Sequence, residues 1–131
     1  YESPLQMLCD SPALYAREPE AMAWLRAVPT VWDETVVLDA RIGDCVAVAR
    51  RRGDEWFVGA MTDWTPRELT IDCAFLPPGS FTLTAWADGA NAGRWGSDFL
   101  MTEQAVDRSS KLAVRLAAGG GWAARIRPAR P

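Results

Sequence analysis

Past Pro29 the chain changes rhythm, and the new rhythm commits it to strands. Successive side chains of a strand point to opposite faces, so a half-buried strand alternates apolar and polar residues. Residues 31–38 are β-branched and alternating; residues 45–51 place Val46 and Val48 on one face; residues 55–61 do the same with Trp56, Val58 and Ala60. Farther on, Leu69, Ile71 and Cys73 alternate with Glu68, Thr70 and Asp72, Phe81 with Leu83 and Ala85 line one face, and Leu112, Val114 and Leu116 line another. Residues 122–127 make the last such run. Turn chemistry separates these segments: Arg41-Ile42-Gly43-Asp44, the hairpin Arg52-Gly53-Asp54, residues 62–66, Pro77-Pro78-Gly79 and Gly119-Gly120-Gly121. About seven or eight short strands at roughly 8–12-residue spacing predict an all-β fold, an antiparallel β-sandwich. Residues 88–107 make an unusually long connection. Within it, Phe99-Leu100-Met101 and Ala105-Val106 offer a short edge strand.

Residues 1–29 read differently. Ser11-Pro12 is a helix start with proline at the first helical position, and Glu18-Pro19-Glu20 opens a second short helix that Pro29 stops. Met22, Leu25 and Val28 recur at spacing three, with Trp24 alongside. Helices this short do not stand alone in water, so they must lie against something, either the rest of this chain or a domain that is missing. The chain is therefore divided into a helical lead-in, 1–29, and a sandwich, 30–131.

The 131 residues are room for one domain, and a chain of that size buries about 68% of its unfolded surface without needing a metal or disulfide. Apolar residues at 49% and charged residues at 24% match a globular domain, not a disordered one. No apolar run approaches the roughly 18 residues of a membrane-spanning helix. A net charge of -3 argues against nucleic acid or an anionic membrane as partner. No basic stretch followed by an apolar run marks a signal peptide at the start, and the chain is expected to be a piece of a longer protein.

Histidine is absent. That removes a Ser-His-Asp or Cys-His nucleophile, a His-ligated zinc and a histidine proton shuttle. Cys9, Cys45 and Cys73 are widely spaced and form no CxxC pair, so they read as small buried hydrophobes, with at most one disulfide among them. Carboxylates are what remains. A glycosidase needs two facing each other across about 5–9.5 Å, whereas Asp33-Glu34 and Asp54-Glu55 are adjacent on strands and point apart. These acids read as solvated surface. The Arg50-Arg51-Arg52 run is a solvated hairpin tip, and Gly119 to Gly121, followed by a strand, is a loop and not a phosphate cradle.

Seven tryptophans are the compositional outlier. Trp56 and Trp122 are in register with apolar neighbours and belong to the core. Trp86 falls on the face opposite Phe81, Leu83 and Ala85, while Trp64 and Trp95 sit in connections. Trp64, Trp86 and Trp95 are therefore the candidate contact residues, for a protein interface first and a sugar face second.

Several stretches carry a resemblance. Tyr1-Glu2-Ser3-Pro4-Leu5-Gln6-Met7-Leu8, Val28-Pro29-Thr30-Val31-Trp32-Asp33-Glu34-Thr35, Ala49-Arg50-Arg51-Arg52-Gly53-Asp54-Glu55-Trp56, Gly59-Ala60-Met61-Thr62-Asp63-Trp64 and Gly119-Gly120-Gly121-Trp122, in that order, resemble the C-terminal end of glycoside hydrolase family 97. That family comprises bacterial α-glucosidases and α-galactosidases built as an N-terminal β-sandwich, a central (β/α)8 barrel and a C-terminal all-β domain. Its catalytic carboxylates and calcium ligands lie in the first two parts, and none of those motifs has a match here. The resemblance thus implies a domain with no catalytic, cofactor or metal residue of its own, calcium being expected in the parent enzyme's catalytic part. It implies that residues 1–29 are the end of the barrel with its last helix attached. Deprived of that neighbour, the lead-in is expected to be mobile or to pack on another copy. The implied work is to pack on the catalytic barrel of the same polypeptide and to support a homo-oligomer, with α-glycosides met only through the parent. The family implies a periplasmic or secreted location. The alternative is a carbohydrate-binding module that uses exposed tryptophans.

Overall fold

The computed structural model describes residues 10–129, so Cys9 and the motif at residues 1–8 lie outside the described residues. Two helices, α1 (Pro12–Tyr15) and α2 (Pro19–Ala27), precede eight strands: β1 (Glu34–Arg41), β2 (Cys45–Arg52), β3 (Glu55–Thr62), β4 (Arg67–Asp72), β5 (Phe81–Asp88), β6 (Phe99–Val106), β7 (Lys111–Leu116) and β8 (Gly121–Pro128). A single 3-10 turn, Cys73–Phe75, follows β4. Six strands form one sheet in the order β1-β2-β3-β8-β5-β6, and β4 pairs with β7 in a second. Every pairing is antiparallel. The sandwich is therefore lopsided, a wide sheet against a narrow one.

Alternation sets the layers. On the wide sheet Trp56, Val58 and Ala60 of β3, Phe81, Leu83 and Ala85 of β5, and Trp122, Ala124 and Ile126 of β8 point inward, and Leu69, Ile71, Val114 and Leu116 of the narrow sheet meet them in one core. On β2 the inward face is Cys45, Ala47 and Ala49, all buried, while Val46 and Val48 face outward and are half-buried. The large valines mark the outer face. Small inward residues leave space for the rings of Trp56, Trp122 and Phe81 in the same core. Cys45 and Cys73 are both free and buried, and burial pushes the Cys73 thiol up to about 11.

Two expectations change. The edge strand expected as a short piece within residues 88–107 is a full eight-residue strand, β6, in unbroken register with β5. Sequence obscured it because both its faces are largely exposed, which erases the alternation a half-buried strand shows. Of the lead-in, helix α2 rests on this chain itself and not on another copy. Trp24 of α2 lies 5.7 Å from the ring of Phe57 and 5.3 Å from that of Trp86, on the outer face of the wide sheet. Neither helix contains a fully buried residue, so α2 is a cover laid on the sheet, not part of its core.

Candidate contact surface

Sheet topology sends four connections to one end of the sandwich. They are the β1–β2 turn, the β3–β4 loop, the β5–β6 loop and the β7–β8 loop. Three large apolar side chains stand at that end in full view of solvent: Ile42, Trp64 at 86% exposed and Trp95 at 67%. Leu100 and Met101, also exposed, continue the series onto the start of β6. Adjacent strands are about 4.8 Å apart, so the series is spaced out as a broken ridge along the top edge of the wide sheet.

Polar groups hold these loops in place. The Asp63 N–H donates to the Asp44 carbonyl at 2.8 Å, and the Gly119 N–H donates to the Asp63 carbonyl at 2.7 Å. Arg67, mostly buried, reaches Asp63 at 3.3 Å and Asp44 at 3.6 Å, and its Nε donates to Thr62 Oγ1 at 3.0 Å. The Thr65 N–H, followed by the Thr65 hydroxyl and Arg67, holds the Asp63 carboxyl below the usual carboxylate range. Asp88 Oδ2 accepts from the Ala117 and Gly121 N–H groups at 2.7 and 3.0 Å, which fixes the β7–β8 loop to the end of β5. Asp98 closes the β5–β6 loop. Its carboxylate accepts from the Asn91 N–H at 2.6 Å, its carbonyl from the Gly89 N–H at 2.8 Å, and its N–H donates to Trp95 at 2.9 Å. Hydrogen bonds thus run from the turn carrying Ile42 to the loop carrying Trp95.

The glycine run fits this scheme. Gly119 has φ +67, and a Cβ there would come within 3.0 Å of the Trp64 ring. A Cβ on Gly120 would run into the Asp88 carboxylate and sit 3.0 Å from the Ala117 nitrogen. Gly119 thus leaves room for one edge of the Trp64 ring, which is otherwise open to solvent.

The three sequence candidates part company. Trp64 and Trp95 share the braced loop end; Trp86 does not join them as an exposed group. It is half-buried beneath Trp24 on the outer sheet face, and its Nε1–H donates to the Glu20 carbonyl at 3.0 Å. Sequence reasoning missed Phe57, which meets both Trp24 and Trp32 (5.4 Å). Its position beside Trp56 put it on the other face by alternation, and that was the available signal. Ile42 stands at the tip of its turn, where an apolar residue is itself a signal of contact.

The acids are structural fasteners. Glu55 holds Arg125 with two bonds of 2.8 and 2.9 Å on the outer face. Asp33 pairs with Arg52 at 2.8 Å and accepts from the Gly53 N–H, while Glu34 pairs with Arg51 at 3.0 Å. The arginine tip is open to solvent, as expected, and its Arg51 and Arg52 are ion-paired as well. Among the described residues no group of three or more Cys, Asp or Glu converges as a metal site.

Comparison with known proteins follows this geometry. A family model described as glycosyl-hydrolase 97 C-terminal, oligomerisation, matches residues 31–127. A retaining alpha-galactosidase of Bacteroides thetaiotaomicron is 46% identical over 127 residues, which are 97% of this chain and 19% of that protein. A glycoside hydrolase family 97 enzyme from Pseudoalteromonas sp. strain K8, solved in complex with acarbose, superposes with a TM-score of 0.88 at 33% identity over 92% of this chain and 20% of its own. A beta-arabinopyranosidase superposes at 0.73 with 26% identity over 93% of this chain and 19% of its own. The chain spans about a fifth of the length of these relatives.

Proposed function

Because the chain belongs to the C-terminal domain family of glycoside hydrolase family 97, we propose that it is the non-catalytic contact module of an α-galactosidase or α-glucosidase. In this reading it packs on the catalytic barrel of the longer polypeptide and supports association of whole enzymes. Carboxylates for sugar cleavage, and any calcium, belong to the rest of that polypeptide, whose place is the periplasm or the cell exterior. The observation that carries the reading is the braced ridge of Ile42, Trp64 and Trp95. Solvent-facing tryptophans on a hydrogen-bonded loop platform are costly to a free domain and are the usual anchors of a protein contact.

Trp64→Ala with Trp95→Ala in the longer enzyme tests it. The expected outcome is a lower unfolding temperature of the whole protein, with kcat/KM per folded molecule unchanged. The same melting curve for variant and wild type would overturn the assignment of the ridge. The open ring of Trp64 supports a second reading, stacking on a sugar. Saturable heat on titrating maltotriose or an α-galactoside into this chain, abolished by Trp64→Ala, would favour that reading instead.

A further inference from the structure

The inference rests on the oligomerisation reading and concerns where the seam runs. A six-stranded sheet has two edges, and this one finishes them differently. β1 carries Glu34, Asp39 and Arg41, and its ladder with β2 slips between Val37 and Asp39. Charge and a bulge are the usual guards of an edge against further pairing. β6 has neither guard. It pairs with β5 residue for residue from Phe99 to Val106, contains no proline, and carries one charged residue, Glu103. Six consecutive residues, 100–105, are exposed. Even Glu103 is drawn back over the sheet: its carboxylate accepts from Thr84 Oγ1 at 3.1 Å and lies 4.0 Å from Arg127. Among the described residues nothing pairs with its outer side, so a nearly uncharged row of backbone donors and acceptors lies open there.

We propose that β6 pairs antiparallel with β6 of a second copy, joining two six-stranded sheets into one. A second copy brings the matching free edge by construction, and a twofold pairing closes without leaving a further edge of the same kind. Symmetry also selects the register. A twofold axis normal to the sheet keeps every side chain on its own face, so only registers in which one residue faces its own mate respect the pleat. Centring on Glu103 sets two carboxylates opposite each other, which is destabilising. Centring on Thr102 places Thr102 against its mate, Met101 against Glu103, Leu100 against Gln104 and Phe99 against Ala105. No like charges meet, and cross-strand threonines are a favourable pair. Of the two centres that keep nearly the whole of β6 paired, Thr102 is the favourable axis residue.

The test is the mass of the full 131-residue chain in solution, by sedimentation over a concentration series. Wild type is expected as a dimer in the micromolar range. Thr102→Lys sets two ammonium groups face to face on the axis and should weaken the dimer at least tenfold, while Val37→Lys on the β1 edge leaves it intact. In a Cys9→Ser background, Thr102→Cys should form a disulfide-linked dimer under mild oxidation and Val37→Cys should not; this readout decides if Thr102→Lys fails to fold. A dimer that survives Thr102→Lys and gives no Thr102→Cys cross-link overturns the β6 seam but leaves the oligomerisation reading standing. A wild-type chain that stays monomeric overturns the seam as well, and mass measurement on the longer enzyme then judges the broader reading by itself.

Discussion

The two faces of the wide sheet are closed by different means. The inner face buries Val58, Leu83, Ala124 and Ile126 almost completely under two six-residue strands. The outer face is closed by a nine-residue helix that touches it through Trp24, on Phe57 and Trp86, and otherwise by half-exposed valines and the Glu55–Arg125 pair. Apolar burial on the inner face is the term that holds the fold, because hydrophobic transfer scales with area removed from water. The outer face adds a detachable cover. The narrow partner sheet has a second consequence: it leaves the flank of the wide sheet at β6 bare on both sides.

The largest effect should therefore come from the inner face. Ile126 is fully buried at the centre of the wide sheet, and Ile126→Ala removes its side chain and leaves a cavity, a loss of about 2–5 kcal/mol in chemical denaturation of the whole chain. A loss below about 1 kcal/mol would mean that the inner face is not the main support. Trp24→Ala comes next. Its ring contacts with Phe57 and Trp86 are each worth about 0.5–1.5 kcal/mol beyond area, and the residue is only half-buried, so about 1–2 kcal/mol is expected. The loss should be accompanied by faster hydrogen exchange in 19–27 and unchanged exchange in β3, β5 and β8. If Trp24→Ala destabilised the sheet as much as Ile126→Ala does, cover and core would be one unit and the contrast between the faces would fail.

Much of the inner face was legible in the sequence. The runs ending in Leu116 and beginning at Phe81 alternate plainly, and glycine or proline marks nearly every turn between strands. What stayed hidden has a physical cause in each case. β2 puts alanines inside and valines outside, the reverse of what side-chain size suggests, since the tryptophans fill the core beside it. β6 faces solvent on both sides, so no period appears in it. Trp86 was placed on the correct face, but periodicity within one strand says nothing of a helix some sixty residues upstream that will cover it; the bond between Trp86 and Glu20 spans 66 residues. For the loop end, the sequence offered Trp64 and Trp95 but not the bracing. The Asp88, Asp98 and Arg67 contacts depend on which loops the topology brings side by side, and one-dimensional spacing does not encode that.

The smallest effect concerns the ends of the sandwich, which are tied by carboxylates where the faces are tied by apolar contact. The Gly53 N–H holds the Asp33 carboxyl below its ordinary range, with Arg52 and Arg51 adding to it; the Thr65 N–H does so for Asp63, and the Ser109 hydroxyl and N–H for Asp107. Each group is more acidic folded than unfolded, so the native state binds fewer protons than the unfolded chain. Its contribution is complete above the unfolded value near 3.9 and is lost as pH falls through the lower folded value. The melting temperature should accordingly stay level above about pH 5 and decline below about pH 4. All three carboxyls are open to solvent, so the decline should be shallow. Combining Asp33→Asn, Asp63→Asn and Asp107→Asn should flatten it, because an amide has no proton to gain across that range. Ile126→Ala, in contrast, should lower the curve at every pH without changing its slope. A triple variant whose melting temperature falls as steeply as wild type would show that the acid sensitivity lies elsewhere, and that ends and faces are not held by separate forces.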